Sequence, residues 1–213
     1  MLLAALPGSV EAATITLDFE ALTHNQSAHA YLATYGITVS NLDAGTGLVA
    51  LSENITYGGG VVGAPSGTMY IQQNIVNPDG SGTGGQPGPP NTFTLNFATA
   101  LTSFGFSDSA ILAPSINSPW TATAYAGTNG SGAVLDSESY SPPSTHATAS
   151  FTLTGAGIRS VTFFQNASPS AGFYGANLDD FVLTGDGVGV VPEPASLLLV
   201  GSGLLGLAAR RRR

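Results

Sequence analysis

The groups in this sequence able to move protons or hold metals are its histidines and carboxylates, and their spacing argues against catalysis. His24, His29 and His146 form no HExxH pair and have no metal-ligand spacing. His24 and His29, five apart in a polar stretch, read as residues of a solvated loop. There is no Gly-x-Ser-x-Gly elbow and no glycine loop ahead of a helix to cradle phosphate. With no cysteine, a thiolate zinc site, a disulfide scaffold and a Cys nucleophile are all excluded. Glycoside hydrolysis needs two carboxylates facing each other across a groove. Asp136 and Glu138 share one strand face in a Ser-rich stretch, where they read as solubilising. No catalytic residue is assigned; a surface polysaccharide hydrolase is the alternative to a binding or structural protein.

Two other constellations carry more weight. "LDFE" and "NLDDF" bring Asp18, Glu20, Asp179 and Asp180 into the first and last strands, which often meet in sandwiches. Alternation puts Asp18 and Glu20 on one face opposite Phe19, while only one of Asp179 and Asp180 can join them. Calcium takes six to eight oxygen ligands and would relieve the repulsion of such a cluster, so a structural Ca2+ is one reading, and a solvated strand edge whose charges discourage edge pairing is the other. Sugars stack on aromatic faces, which makes Trp120, Tyr125, Tyr140, Phe173 and Tyr174 the ligand-binding candidates. Phe173 and Tyr174 lie between glycines in "AGFYGAN", where a core has little claim on both.

The elements that must position these residues are strands. Between Thr14 and Gly185 the recurring pattern is alternation over five to eight residues, bounded by Gly, Pro, Asn and Ser. "TITLDFE" aligns Ile15, Leu17 and Phe19, and "TFTLNFA" aligns Phe93, Leu95 and Phe97. "SFTLTG", "SVTFFQ" and "FVLTG" repeat the pattern. Further strands are expected at Gly36–Leu42, Leu48–Leu51, Gly67–Gln73, Leu101–Asp108, Thr121–Gly127 and Ala133–Tyr140. About ten short strands predict an all-β, jelly-roll-like sandwich over residues 14–186. Strands this short and unevenly spaced disfavour a membrane barrel. "NPDGSGTGGQPGPPN" (77–91) is expected to be a structureless loop, and 187–191 a linker.

Composition points to export. Charged residues are 8% of the 213, the net charge is −8, and Arg159 is the one cation ahead of the final four positions. A body this acidic cannot bind nucleic acid through phosphate contacts. Residues 1–13 read as the remnant of a signal peptide, with Val10 and Ala12 at the −3 and −1 positions of a cleavage site. At the other end, Ala195–Ala209 is uncharged and as a helix reaches about 22 Å, short of the ~30 Å hydrocarbon core. Arg210, Arg211, Arg212 and Arg213 hold its end on the cytoplasmic face, so the helix acts as a temporary membrane stop.

"VPEPASLLLVGSGLLGLAARRRR" resembles the C-terminal sorting signal of PEP-CTERM proteins. Pro192, Glu193 and Pro194 match its tripeptide, followed by a short Gly-containing apolar helix and the arginine cluster, over 192–213. The resemblance implies export in a Gram-negative bacterium and transient anchoring in the inner membrane. It also implies processing by an exosortase-type transpeptidase, and association with the cell surface, exopolysaccharide or biofilm matrix. The segments "FTLNFATALTSFGFSDS", "WTATAYAGTNGSGAVLDSESY", "FTLTGAGIRSVTFFQ" and "NLDDFVLTG" resemble the lectin-like and carbohydrate-binding-module-like sandwiches found in such proteins. That resemblance implies a non-catalytic structural or glycan-binding role.

Overall fold

A computed structural model describes residues 12–52, 56–57, 60–61, 64–83, 90–110, 119–141, 147–165, 176–186 and 188. The elements, in chain order, are β1 (Ala12–Leu17), α1 (His29–Thr34), β2 (Ile37–Ser40), β3 (Thr46–Ser52), β4 (Thr56–Tyr57), β5 (Gly60–Val61) and β6 (Met69–Ile75). They continue with β7 (Asn91–Ala110), β8 (Trp120–Tyr125), β9 (Val134–Tyr140), β10 (Ala147–Gln165) and β11 (Leu178–Asp186). Every pairing is antiparallel. Nine strands join in one hydrogen-bonded sheet, ordered β3-β6-β11-β7-β10-β8-β9, with β1 beside β11 and β2 beside β7.

That sheet becomes a sandwich because its two longest strands fold over. Phe93 and Phe106 lie on β7, and a straight strand would hold them about 43 Å apart. Instead both rings contact Phe163, at 4.9 Å and 5.1 Å. Phe151 and Phe163 of β10 likewise both touch Phe106. The sequence marks the fold-over as a break in alternation. Phe93, Leu95, Phe97 and Leu101 are buried at odd positions, Phe104 and Phe106 at even ones. The β7–β10 register slips over the same stretch, between Thr154 and Ile158 and again between Ile158 and Ser160. Gly157, with φ of +89°, supplies a backbone conformation at that bulge that L side chains rarely adopt.

The jelly-roll-like sandwich expected from the strand pattern is the fold observed, with different strand lengths. Four expected strands merge into β7 and β10, of 20 and 19 residues. β1 stops at Leu17 rather than Glu20, because Phe19 adopts φ of +58° and turns the chain. The segment expected to be structureless from residue 77 is partly built. Val76 bridges Gly82, Asn77 exchanges backbone hydrogen bonds with the turn closed at Ser81, and Thr83 donates to the Ile75 carbonyl. The segment's last residue, Asn91, already begins β7. Helix α1 was not expected from the sequence; its buried Leu32 caps the core beside Phe19, whose ring meets Tyr31. No helix among the described residues is long and apolar enough to cross a membrane, and the expected sorting helix lies outside them, as does residues 1–11 of the expected signal remnant.

The fold-over gives the sandwich two distinct poles. At the bend pole lie Leu101, Ile158, the β8–β9 turn and Gly185, where a Cβ would stand 2.7 Å from the Ala100 carbonyl oxygen. At the other pole the two ends of β7 and of β10 return together, joined by the ends of β8, β9 and β11. We call it the loop pole, because the connections β6–β7, β7–β8, β9–β10 and β10–β11 all leave from it and return to it.

Candidate functional site

The loop pole carries a shallow, open recess lined by Asn91, Phe93, Trp120, Phe163, Phe164, Gln165 and Ala176. Asn91 and Gln165 are cross-strand partners at the first position of β7 and the last of β10, and Gln165 also pairs with Trp120. Alternation along β10 buries Phe163 in the floor and turns Phe164 outward, where it is 46% exposed. The result is an aromatic floor, two buried amide side chains and one exposed ring beside them. Residues 166–175, which join Gln165 to Ala176, contain Phe173 and Tyr174.

Behind the floor runs a buried polar network. Trp120 Nε1 donates to Asp108 Oδ2 at 2.9 Å, and the Asn177 backbone N–H donates to Asp108 Oδ1 at 2.7 Å. The Asn177 amide donates to the Ser109 carbonyl and accepts from Gln72 Nε2, both at 2.7 Å. Burial pushes the Asp108 carboxyl up to about 6, with the Trp120 and backbone donors acting against the shift. This network ties β7, β8, β11 and β6 together at the pole and fixes the ring that forms the floor.

The structure redistributes the predicted binding residues. Trp120 is 2% exposed and packs on Phe106, Phe151, Phe163 and Tyr140, so it holds the floor from within and offers no open stacking face. Tyr140 is half-buried against Trp120 and Phe151. Tyr125 lies at the far end of β8, opposite Ser160, near the bend pole. Phe173 and Tyr174 lie outside the described residues. Phe164, Asn91 and Gln165 were missed. Their signal was an amide or outward aromatic at a strand end, flanking a long Gly-, Pro- or Ser-rich connection.

The four carboxylates expected to share a calcium are not gathered into one cradle. Among the described residues no three of Asp, Glu or His are grouped so as to hold a metal. The turn at Phe19 sends Glu20 to a separate set of donors, Thr68 N, Thr68 Oγ1 and Met69 N, at 2.8, 2.8 and 2.7 Å. Asp18 is exposed and accepts from the Glu20 backbone N–H. Asp179 is fully buried; its Oδ2 takes the Ser66 N–H and its Oδ1 the Asp180 N–H. Ser66 Oγ lies 3.2 Å from Asp179 Oδ2 and 2.7 Å from Asp180 Oδ1. Burial, with the neighbouring Asp180 charge, lifts the Asp179 carboxyl to about 7 against these hydrogen bonds. Protein donors thus satisfy these oxygens.

The two described histidines, expected on a solvated loop, are acceptors for strand β3. His29 Nε2 takes the Leu48 N–H and His24 Nδ1 the Ser52 N–H, each at 3.2 Å. Burial lowers the His29 pKa and keeps the neutral form that this acceptor role requires. His146 lies outside the described residues.

The described chain is thus an antiparallel β-sandwich whose long connections converge on one pole. The same class is seen in the K2 cleaved adhesin domain of Lys-gingipain. That domain aligns over 81% of this chain and 100% of its own at 18% identity, with a TM-score of 0.53. The K1 cleaved adhesin domain of Lys-gingipain from Porphyromonas gingivalis W83 aligns over 80% of this chain and 97% of its own, at 14% identity and a TM-score of 0.50. At these identities the likeness is one of fold. A xylan-binding domain from Paenibacillus barcinonensis Xyn10C aligns more loosely, over 80% and 92% at 13% identity, with a TM-score of 0.40. No curated protein matches the sequence. Residues 190–213 match the PEP-CTERM protein-sorting motif, which marks an exported protein.

Proposed function

We propose that this is an exosortase-processed protein of the cell surface or extracellular matrix that binds polysaccharide without turning it over. The loop-pole recess carries the proposal: an aromatic floor beside one exposed ring, Phe164, able to stack on a sugar face. Its walls are fixed by the Asp108 network, so the site is held before ligand arrives. Two carboxylates at this pole are engaged in structure and not poised for acid–base work. Asp43 accepts from the Thr92 N–H at 3.1 Å, and Asp108 is buried behind Trp120. The sorting motif supports delivery to the surface.

Affinity electrophoresis against soluble glucan, xylan and mannan, run beside a reducing-end assay, tests the proposal. At least one polysaccharide should retard the protein with no release of reducing ends. Phe164→Ala should weaken that retention about tenfold, the ~1.4 kcal/mol of one aromatic contact. Saturable release of reducing ends, or no retardation by any of the three, overturns it.

A further inference from the structure

The geometry points to a domain mounted by its bend pole, with the loop pole facing away from the anchor and engaging an uncharged polysaccharide chain. This rests on the sorting role given above to residues 190–213, and it names the direction and ligand class of the same site.

β11 fixes the direction. It starts at the loop pole, where Leu178 pairs with Asp108 and Ile71. It ends at the bend pole, where Thr184 pairs with Ser103 and accepts from Thr102 Oγ1, and Val188 N–H reaches back to the Gly185 carbonyl. β1 lies antiparallel to it, with Ala12 opposite Asp186, so the described chain begins and ends side by side at the bend pole. Residues 187–191 then lead to the Pro-Glu-Pro motif. Those five residues, fully extended, span at most about 17 Å. The nine residues of β11 alone measure about 30 Å. A tether shorter than the domain it holds cannot let that domain turn over to present its bend pole outward.

Charge fixes the ligand class. None of the described residues that line the recess is Asp, Glu, Lys or Arg. Arg159, the only cation ahead of the tail, sits at the bend pole with its guanidinium on the Ala98 carbonyl at 3.2 Å. A uronate- or phosphate-bearing polymer would find no Lys or Arg among the described residues of the loop pole and would meet the repulsion of an acidic protein. A hydroxyl-rich neutral chain meets the exposed aromatic carbon of Phe164 without that repulsion.

The absence of native cysteine permits a direct test with two single-cysteine variants of the full chain, Ser141→Cys at the loop pole and Thr128→Cys at the bend pole. Both positions are exposed. On purified protein a bulky, membrane-impermeant maleimide should label the two equally. On intact cells it should label Ser141→Cys at least tenfold faster than Thr128→Cys. The neutral polysaccharide retained best in electrophoresis should slow Ser141→Cys labelling several-fold and leave Thr128→Cys unchanged, whereas alginate should change neither. Equal labelling on cells, or protection by alginate and not by the neutral chain, overturns the inference alone. Protein made in cells with neither cysteine reachable overturns the sorting role as well.

Discussion

At the scale of single residues, the surface and the interior handle polarity differently. On the surface, cross-strand hydroxyl pairs take the place usually held by ion pairs: Thr121 with Ser139 at 3.0 Å, Thr123 with Ser137 at 3.2 Å, Thr14 with Thr184 at 3.0 Å. In the interior, Asp108 depends on its donors. Trp120→Phe removes the Nε1–H donor from a buried carboxylate and should cost about 2 kcal/mol in urea unfolding at neutral pH. An unchanged unfolding midpoint would show that the pair contributes nothing. The raised carboxyls also set a pH dependence. Asp108, near 6, and Asp179, near 7, bind protons more tightly folded than unfolded. The stability they contribute is complete below the unfolded value of 3.8 and is lost as pH rises through 6 and 7. His29 acts oppositely: its stabilisation is present above 6.5 and is lost as pH falls through its lowered value. With two groups against one, the melting temperature should fall between about pH 5 and pH 8. A rise across that interval in a thermal scan would contradict the burial of both carboxyls.

At the scale of elements, the strand pattern was legible and the strand lengths were not. Phe93, Leu95 and Phe97 announce a half-buried strand by period two alone, as do Phe151 and Leu153. Local alternation cannot say that a strand continues through a parity slip, because continuity through Ala98–Leu101 depends on pairing to either side, with β2 and β10 before it and β10 and β11 after it. Helix α1 is six residues with Leu32 as its buried residue, too short for a 3.6-residue period to show. The fold-over makes its own demand on sequence. At Gly185 a Cβ would press on the Ala100 backbone carbonyl and the Leu101 Cα, which cannot step aside as a side chain can. Gly185→Ala should cost about 1–3 kcal/mol, measured by chemical denaturation. Gly105→Ala, whose Cβ would meet Val182 Cβ at 3.2 Å, should cost less. Equal costs would mean the backbone at the bend yields freely.

At the scale of the whole molecule, the sorting tail was legible because its three parts are contiguous, whereas the site was not because its parts are scattered. Asn91, Trp120, Phe164 and Ala176 meet only after β7 and β10 have folded over. Trp120 looked like a stacking platform beside Pro119 until the opposite layer supplied Phe106 and Phe151 to enclose it. Nor could pattern show that protein donors take up the expected calcium ligands: after the left-handed turn at Phe19, Glu20 goes to Thr68 and Met69, and Asp179 and Asp180 go to Ser66.

The side-by-side ends of β1 and β11 have a mechanical consequence. A load between a ligand at one pole and an anchor beyond Asp186 runs along β11, parallel to the strand and across its hydrogen bonds to β7 and β1. Those ladders are then strained in shear, with their rungs sharing the tension, and are not peeled apart one rung at a time. A tether at the opposite pole would have reversed that geometry. Drag on a bound polymer would therefore be carried by the full length of the strand that the tail extends.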